Sequence, residues 1–356
     1  MRRIVVVLSA AAAVLAIGPA PAAAEETPVF CGQVVTGTVK VANDLDCVDT
    51  DALIVGSDNT VIDLNGHRFT CTGAGYQGSC QGEAVGVARD PEPEHGVAID
   101  GFDNVHVFTS VPGAEIDGFD DGVFINRSSN VKVEHLILTG PPAPAGPGAN
   151  PRPPTHGVLV QGASCGGGHI HIGTGEKRGN DASNHNQGVA INGDCVNVVH
   201  NRLHHNNSNA ALRFGIPVVP PSNGLLLAQA AHNVVRGNEI TRNGDEDETV
   251  DAGLRIRREQ STDNLVTNND VSQNFGDGIL LEQGANANFI LNNTMLLNGG
   301  PLSGSVFYDA AGRGAPGGPP GSEPLNEWNQ NNRCLTQNEE VPPGTCEPDD
   351  VPPGEG

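Results

Sequence analysis

Three side chains that could do acid/base chemistry stand at the same place in three similar segments. His95 opens H-G-V-A-I-D, Asp121 opens D-G-V-F-I-N and His156 opens H-G-V-L-V-Q, so each directly precedes a glycine. If the three segments lie side by side, a carboxylate stands between two imidazoles, an arrangement suited to acid/base catalysis or to a metal. A polar residue before glycine also suits a tight corner, so a purely structural role is the competing interpretation.

A second candidate site contains the scarce positive charges of the chain. The sequence has only 19 Lys and Arg against 42 Asp and Glu, yet Arg255, Arg257 and Arg258 lie close together. Glu282 occupies a similar place in the next repeated segment, so these residues would form an anion site beside a carboxylate. The alternative is mutual neutralisation, with Arg257 paired to Glu282 across adjacent segments.

The same segments predict a substrate-binding surface. Residues four positions after each glycine would form an exposed polar ladder, and residues two positions after it would form an apolar stripe beside that ladder. Such a face suits an extended glycan, whose hydroxyls need hydrogen bonds and whose rings need apolar contact. The predicted binding residues are Asp100, Asn126, Gln161, Asn192, Phe124 and Arg257. An ordinary solvated sheet face is the alternative.

Metal binding has weaker support in the sequence. Asp245, Asp247 and Asp251 could bind calcium in an exported protein, although their order is not that of an EF-hand and a solvated acidic loop is the alternative. His169 and His171 share one face of a predicted strand, but two ligands do not make a metal site. We therefore expect no required cofactor, with calcium as an option.

An internal repeat would position these residues. Glycines at 96, 122, 157, 188, 224, 253 and 278 are separated by 26, 35, 31, 36, 29 and 25 residues. The segments between them alternate with period two and have Gly or Asn at their corners. This predicts an all-β solenoid of roughly eight to ten coils, each with a few buried Val, Ile and Leu. Recurring asparagines would adopt left-handed corners or hydrogen-bond along the stack, namely Asn59, Asn104, Asn130, Asn197, Asn233, Asn264 and Asn288.

The two ends of the repeat carry a resemblance to a known group. The opening segment contains D-L-D-C, L-I-V-G-S-D-N-T and I-D-L-N-G-H, and the closing segment is N-E-W-N-Q-N-N-R-C. Over roughly residues 29–346 the chain resembles exported bacterial right-handed parallel β-helix repeat proteins, a group that includes NosD and polysaccharide lyases, epimerases and hydrolases. The resemblance implies that fold. It implies no single reaction, because the group has many activities and the motifs of its named enzymes are missing or incomplete.

Composition and the N-terminus indicate an exported protein. Residues 1–24 combine Arg2 and Arg3 with an apolar run and a terminal A-A-A, which predicts a secretory signal peptide too short to span a bilayer. The formal net charge of -23 argues against nucleic-acid binding, and the 37% hydrophobic content argues against several membrane spans. We expect a secreted or cell-envelope protein without a membrane contact after cleavage.

All eight cysteines follow the predicted cleavage site, which favours disulfides in an exported chain. Eight cysteines allow 105 pairings. The nearest-neighbour hypothesis pairs Cys31 with Cys47, Cys71 with Cys80, Cys165 with Cys195 and Cys334 with Cys346. The predicted domains are the β-helix at residues 25–300 and, at residues 301–356, a disulfide-pinned Gly/Pro-rich cap with a disordered acidic tail.

These observations predict a secreted β-helix that engages extracellular polysaccharide or cell-wall glycan and has no assigned catalytic motif. The first alternative is a polysaccharide hydrolase, lyase or epimerase. It would use Asp121 with His95 and His156, or Glu282 with Arg255 and Arg257. The second alternative is a purely structural surface protein. The oligomeric state has no signal in the sequence.

Overall fold

The fold is seen in a computed structural model of the chain. The structure describes residues 25–72, 93–141, 155–175, 179–207, 212–213, 216–217, 222–244, 251–258, 260–282, 284–299, 307–309, 326–328 and 332–335. These residues form strands and turns, with no α-helix among them. The strands are numbered β1–β33 in chain order.

Three long parallel sheets run along the molecule. The first sheet contains β2 (Gln33–Val35), β5 (Leu53–Val55), β8 (His95–Asp100), β11 (Asp121–Asn126), β14 (His156–Ala163), β17 (Gln187–Gly193), β22 (Asn223–Ala228), β25 (Ala252–Arg257), β28 (Asp277–Leu281) and β31 (Phe307–Asp309), in this order. The second sheet contains β1 (Glu26–Thr27), β3 (Thr38–Val41), β6 (Val61–Asp63), β9 (His106–Phe108), β12 (Lys132–Glu134), β15 (Ile170–Gly173), β18 (Val196–Val199), β23 (Val234–Arg236), β26 (Leu265–Thr267), β29 (Phe289–Leu291) and β32 (Glu327–Trp328).

The third sheet closes each coil. It contains β4 (Leu45–Cys47), β7 (Arg68–Cys71), β10 (Glu115–Asp117), β13 (Ile137–Thr139), β16 (Asp181–Ser183), β19 (Arg202–His204), β24 (Glu239–Thr241), β27 (Asp270–Ser272), β30 (Thr294–Leu296) and β33 (Arg333–Leu335). A short antiparallel pair, β20 (Leu212–Arg213) with β21 (Ile216–Pro217), lies outside the three sheets. One strand from each sheet makes a coil, so the described strands form ten coils. The predicted parallel β-helix is confirmed.

The core is a narrow stack of aliphatic side chains inside the coils. In β8 the side chains of Val97 and Ile99 are fully buried, and Val123 and Ile125 lie beside them in β11. Each coil therefore adds a few inward residues to one continuous core. This arrangement explains how a chain with 4% aromatic residues fills its interior.

The anchor glycines face inward where the backbones approach most closely. A Cβ on Gly122 would lie 2.6 Å from the carbonyl oxygen of Gly157, and one on Gly157 would lie 2.5 Å from that of Gly188. No side chain fits at these distances. The residues one and three positions after each glycine, such as Val97 and Ile99, face inward, so those two and four positions after it face outward. His95 stacks on Phe124, which places the residue before the glycine on the outward side as well.

Buried asparagines form ladders at all three corners. Their side-chain amides donate to the amide oxygen of the next coil at 2.8–3.3 Å. The ladders are Asn233–Asn264–Asn288–Asn326, Asn180–Asn201–Asn238–Asn269–Asn293–Asn332 and Asn206–Asn243–Asn274–Asn298. Of the predicted corner asparagines, Asn59, Asn104 and Asn130 instead adopt left-handed backbone, and Asn197 lies within β18.

Two of the four expected disulfides are confirmed, Cys31–Cys47 and Cys165–Cys195. Cys71 is also disulfide-bonded, and Cys334 lies in β33. Cys80, Cys346, the predicted signal peptide at residues 1–24 and most of residues 301–356 lie outside the described residues. Parallel pairing continues past residue 300, where β31, β32 and β33 pair with the preceding coil.

Candidate functional site

The structure brings the three predicted acid/base residues together. His95, Asp121 and His156 begin β8, β11 and β14, and they are direct partners across the first sheet. All three side chains lie on the outward face, at the corner where the chain arrives from the third sheet. We call these three residues the imidazole–carboxylate cluster.

Asp121 is the centre of this cluster. Its Oδ1 lies 2.6 Å from His156 Nδ1, and its Oδ2 lies 3.2 Å from His95 Nδ1. The exposed fraction of the side chain is 2% for Asp121, 9% for His95 and 13% for His156. The carboxylate is therefore closed off by the two imidazoles, and the Nε2 end of each ring remains available for chemistry.

The electrostatics of the cluster keep the carboxylate ionised. Burial of Asp121 raises its pKa, but the two imidazoles outweigh burial and hold the pKa at about 2. Burial lowers the pKa of His95, but the negative charges of Asp121, Asp51 and Asp120 raise it by more than burial lowers it. The pKa of His95 therefore lies above the ordinary 6.5. The cluster thus combines a fixed negative charge with an imidazole that favours its protonated form.

Two neighbouring rings shape the environment of the cluster. Phe124 stacks on His95 with centroids 4.4 Å apart and planes inclined by 17°. His185 lies fully buried nearby, and neither of its ring nitrogens makes a hydrogen bond of good geometry in the part of the chain that the structure describes. Burial and the charge of His156 lower the pKa of His185 to about 3. His185 carried no signal in the sequence, because its segment resembles an ordinary polar corner.

Carboxylates line the corner behind His95. The Asp51 carboxylate accepts a hydrogen bond from the His95 backbone N–H at 2.7 Å, and Asp120 is 3% exposed. Burial of Glu94, together with the charge of Asp120, raises the pKa of Glu94 to about 7. Sequence reasoning missed Glu94, because a glutamate beside a repeat has no distinguishing pattern.

The predicted polar ladder forms over four coils. Asp100, Asn126, Gln161 and Asn192 are direct partners in successive strands of the first sheet. Three of the four are exposed and Asn126 is half-buried. The Asn126 amide donates to Asp100 at 2.9 Å, and Arg127 lies 3.2 Å from the same carboxylate. Arg257 lies further along the sheet, where its partner is Ala228.

The apolar stripe runs beside this ladder. Its residues are direct partners in successive strands, with Arg255 inserted between Leu226 and Leu280. The stripe contains Val34, Ile54, Ala98, Phe124, Leu159, Ala190, Leu226 and Leu280. Polar and apolar columns therefore lie side by side on one face, next to the cluster.

The comparisons with known proteins agree with this architecture. A family model described as "Right handed beta helix region" matches residues 121–310, which is more than half of the chain. The chain belongs to the right-handed beta helix family. No curated protein sequence matches this β-helix protein.

Several solved structures are similar to this chain at low identity. The periplasmic alginate epimerase AlgG is 11% identical, with 84% of this chain and 77% of that chain covered and a TM-score of 0.44. The tailspike protein of E. coli bacteriophage HK620, solved with a pentasaccharide, is 10% identical, with 86% and 59% covered and a TM-score of 0.39. The A-module of the Azotobacter vinelandii mannuronan C-5 epimerase AlgE6 is 12% identical, with 87% and 83% covered and a TM-score of 0.33. These similarities concern the fold alone.

In the arginine patch of this β-helix protein, the predicted pairing of Arg257 with Glu282 is wrong. Glu282 pairs with Arg255, whose Nε donates at 2.7 Å and whose Nη2 also contacts the carboxylate. Arg257 has no ion pair within the described residues. Burial, followed by the charge of Arg258, lowers the pKa of Arg257. Arg255 lies in the stripe between Leu226 and Leu280, and from there its guanidinium contacts the Glu282 carboxylate on the next coil.

The remaining metal candidates lie only partly within the described residues. Asp251 is fully buried and accepts a hydrogen bond from the Ser222 N–H at 2.7 Å, while Asp245 and Asp247 lie outside the described residues. The rings of His169 and His171 are 6.3 Å apart. Across the described ranges, no group of three or more His, Cys, Asp or Glu side chains could hold a metal ion. These residues also include no helix that could cross a membrane.

The long insertions between β2 and β28 leave from one corner of the β-helix. Between β2 and β28 the four longest connections run from the third sheet to the first, at residues 72–94, 140–155, 205–222 and 242–251. His95 and His156 begin the strands that follow the first two of these connections, and Asp121 begins the strand between them. Long connections at one end of a rigid scaffold are where binding and catalytic residues concentrate.

Proposed function

We propose that this exported β-helix protein binds an extracellular polysaccharide or cell-wall glycan along the outward face of its first sheet. One observation carries the proposal. Asp100, Asn126, Gln161 and Asn192 stand in register over four coils, directly beside an apolar stripe. Both columns run along the molecule, so the surface suits a long chain more than a compact ligand.

The chemistry of the two columns matches that of a carbohydrate. Carboxylate and amide oxygens accept hydrogen bonds from sugar hydroxyls, and amide N–H groups donate to them. The stripe residues Ala98, Phe124 and Leu159 offer apolar contact to the faces of sugar rings. Adjacent coils repeat both groups about every 4.8 Å, so successive sugars meet equivalent partners.

The net charge of the protein indicates which glycans it can bind, and its disulfides indicate where it works. The net charge of -23 repels polyanions, and the nearest cation, Arg127, is already engaged by Asp100. A neutral glycan is therefore the favoured partner, with no cofactor required. The Cys31–Cys47 and Cys165–Cys195 disulfides support an oxidising location outside the cytoplasm.

Affinity electrophoresis of the full chain through gels that contain neutral or acidic polysaccharides tests the proposal, with and without calcium. We expect retardation by at least one neutral glycan. Asn126→Ala and Gln161→Ala should each weaken it several-fold, because each removes partners from the ladder. The matched control is Asn197→Ala, which removes a partly exposed amide from the second sheet and should leave retardation unchanged. Normal mobility in every glycan would overturn the proposal and favour a purely structural surface protein.

A further inference from the structure

We infer that the imidazole–carboxylate cluster is a hydrolytic site that removes ester-linked acyl groups from the bound glycan. That a glycan bears these acyl groups rests on the proposed glycan binding. The site itself rests on the geometry of His95, Asp121 and His156. His156 is assigned as the general base, His95 as the group that stabilises the developing oxyanion, and Asp121 as the residue that positions both.

The Asp121 carboxylate holds both imidazole rings of the cluster. Both Nδ1 atoms face the two oxygens of one carboxylate, at 2.6 Å from His156 and 3.2 Å from His95. The hydrogen bond to Asp121 fixes the tautomer of His156 and leaves its Nε2 as the reactive atom. His95 Nδ1 is buried and contacts the carboxylate at 3.2 Å without a hydrogen bond of good geometry, so charge attraction holds this ring beside Asp121. In the described part of the chain, neither Nε2 has a hydrogen-bond partner, and neither is a buried unpaired atom. The Nε2 atoms of both rings are therefore left to a reacting group.

The imidazole–carboxylate cluster is partly shielded from water. Asp121 is 2% exposed, and Phe124 stacks on His95 at 4.4 Å. In such a partly dry site, a fixed charge and an oriented ring act more strongly than they would in water. The two histidines also lie one on each side of Asp121 along the stack, so a reacting group can lie across the site between them.

Other reactions on a glycan fit these residues less well. Glycosidic hydrolysis commonly needs two carboxyl groups that face the sugar, and both oxygens of Asp121 face imidazoles instead. Elimination from a uronate needs a cation against the sugar carboxylate. Among the described residues, Arg127 stands at the far end of β11, where it pairs with Asp100, and Arg255 lies several coils away. Ester hydrolysis needs one base, water and an oxyanion donor, which the cluster can supply.

The reaction balances with water as the only co-reactant. His156 Nε2 takes a proton from water as the water oxygen bonds to the ester carbonyl carbon, whose C=O electrons move to the oxygen. The protonated Nε2 of His95 donates a hydrogen bond to this oxyanion. When the C=O bond re-forms, the bond to the sugar oxygen breaks, and that oxygen takes the proton from His156. The products are a carboxylic acid and a free sugar hydroxyl.

The test measures acetate released by the full chain from acetylated xylan and acetylated glucomannan, together with hydrolysis of 4-nitrophenyl acetate. We expect wild-type release, and a loss of about a hundredfold or more in His156→Gln and Asp121→Asn. The matched control is His204→Gln. His204 Nε2 lies 2.7 Å from Asp181 Oδ1, so this is a second imidazole–carboxylate pair, but on the third sheet. Its removal should leave the rate unchanged.

Two readouts separate positioning from folding. Imidazole added to His156→Ala should restore part of the rate, which a structural role would not produce. Activity should also fall as the pH rises through the raised pKa of His95, and Asp121→Asn should move this fall to lower pH. The titratable groups around His95 that affect this fall in activity are Asp51, Glu94, Asp120, Asp121 and His156.

The outcomes distinguish this inference from the glycan-binding proposal. Retardation by a glycan with no acetate release from any substrate would overturn the hydrolytic site and leave glycan binding intact. Hydrolysis of 4-nitrophenyl acetate that depends on His156, without retardation by any glycan, would support the hydrolytic site. It would overturn the proposal that a glycan is the substrate. Equal loss of activity in His204→Gln and His156→Gln would also overturn the assignment.

Discussion

His185 occupies the end of an asparagine ladder, directly before Asn206. The His185 backbone N–H donates to the Asn206 side-chain oxygen at 3.2 Å, as the Asn206 N–H donates to Asn243 at 3.1 Å. His185 therefore occupies a position that asparagine holds on the following coils. An imidazole cannot reproduce the two donated hydrogen bonds that each ladder amide makes, and this difference leads to two predictions.

Replacement of His185 by asparagine should stabilise the protein. On the following coils the ladder amide donates to a carbonyl of the preceding coil, as Asn206 does to Ala182 at 3.1 Å. Leu138 is the direct partner of Ala182, so the new amide would donate to Leu138 and to Asn206. We expect a gain of about 1 kcal/mol in the free energy of unfolding at pH 8, measured in urea. A loss of stability would mean that the ring fills space that the ladder cannot.

The same substitution should remove an acid sensitivity. The folded pKa of His185 is about 3, below the ordinary value of 6.5, so the unfolded chain binds the additional proton between these values. The contribution of His185 to stability is complete above pH 6.5 and is lost as the pH falls toward 3. The stability difference between wild type and His185→Asn should therefore widen with falling pH, at up to about 1.4 kcal/mol per unit. Urea unfolding of both proteins at several pH values measures this difference. A difference that does not change with pH would contradict the lowered pKa of His185.

The ladders themselves should account for much of the stability. Asn238 accepts from the Asn201 N–H at 2.9 Å and donates to Val198 and Asn269 at 2.9 Å each. Asn238→Ala would leave these buried groups unpaired, so we expect a loss of about 3 kcal/mol in urea unfolding. Asn197→Ala, which removes an amide with only a 3.4 Å contact, should change stability by less than about 0.5 kcal/mol. Similar losses in both variants would show that the ladder amides are not special.

The fold was predictable because its signal is local. A glycine such as Gly122 is required wherever a Cβ would meet the next coil, and the alternation that follows it fixes which residues face outward. The cluster and the four-coil polar ladder follow from the same register. Only one of the three asparagine ladders was foreseen, because insertions change the spacing between corners. The pairing of Glu282 with Arg255 was also unpredictable, since alternation places Arg255 and Arg257 on one face and side-chain reach decides between them.

The ion pair of Arg255 and Glu282 gives the last prediction. Arg255 is 8% exposed and interrupts the apolar stripe between Leu226 and Leu280. Glu282→Gln would remove the negative charge that Glu282 holds against a buried cation, and we expect this to cost about 3 kcal/mol. The double variant Arg255→Leu, Glu282→Gln continues the stripe with a leucine, so its free energy of unfolding should lie within about 1 kcal/mol of wild type. If the double variant is as unstable as the single one, removal of both charges does not restore stability. The ion pair would then stabilise the coils through more than the neutralisation of Arg255.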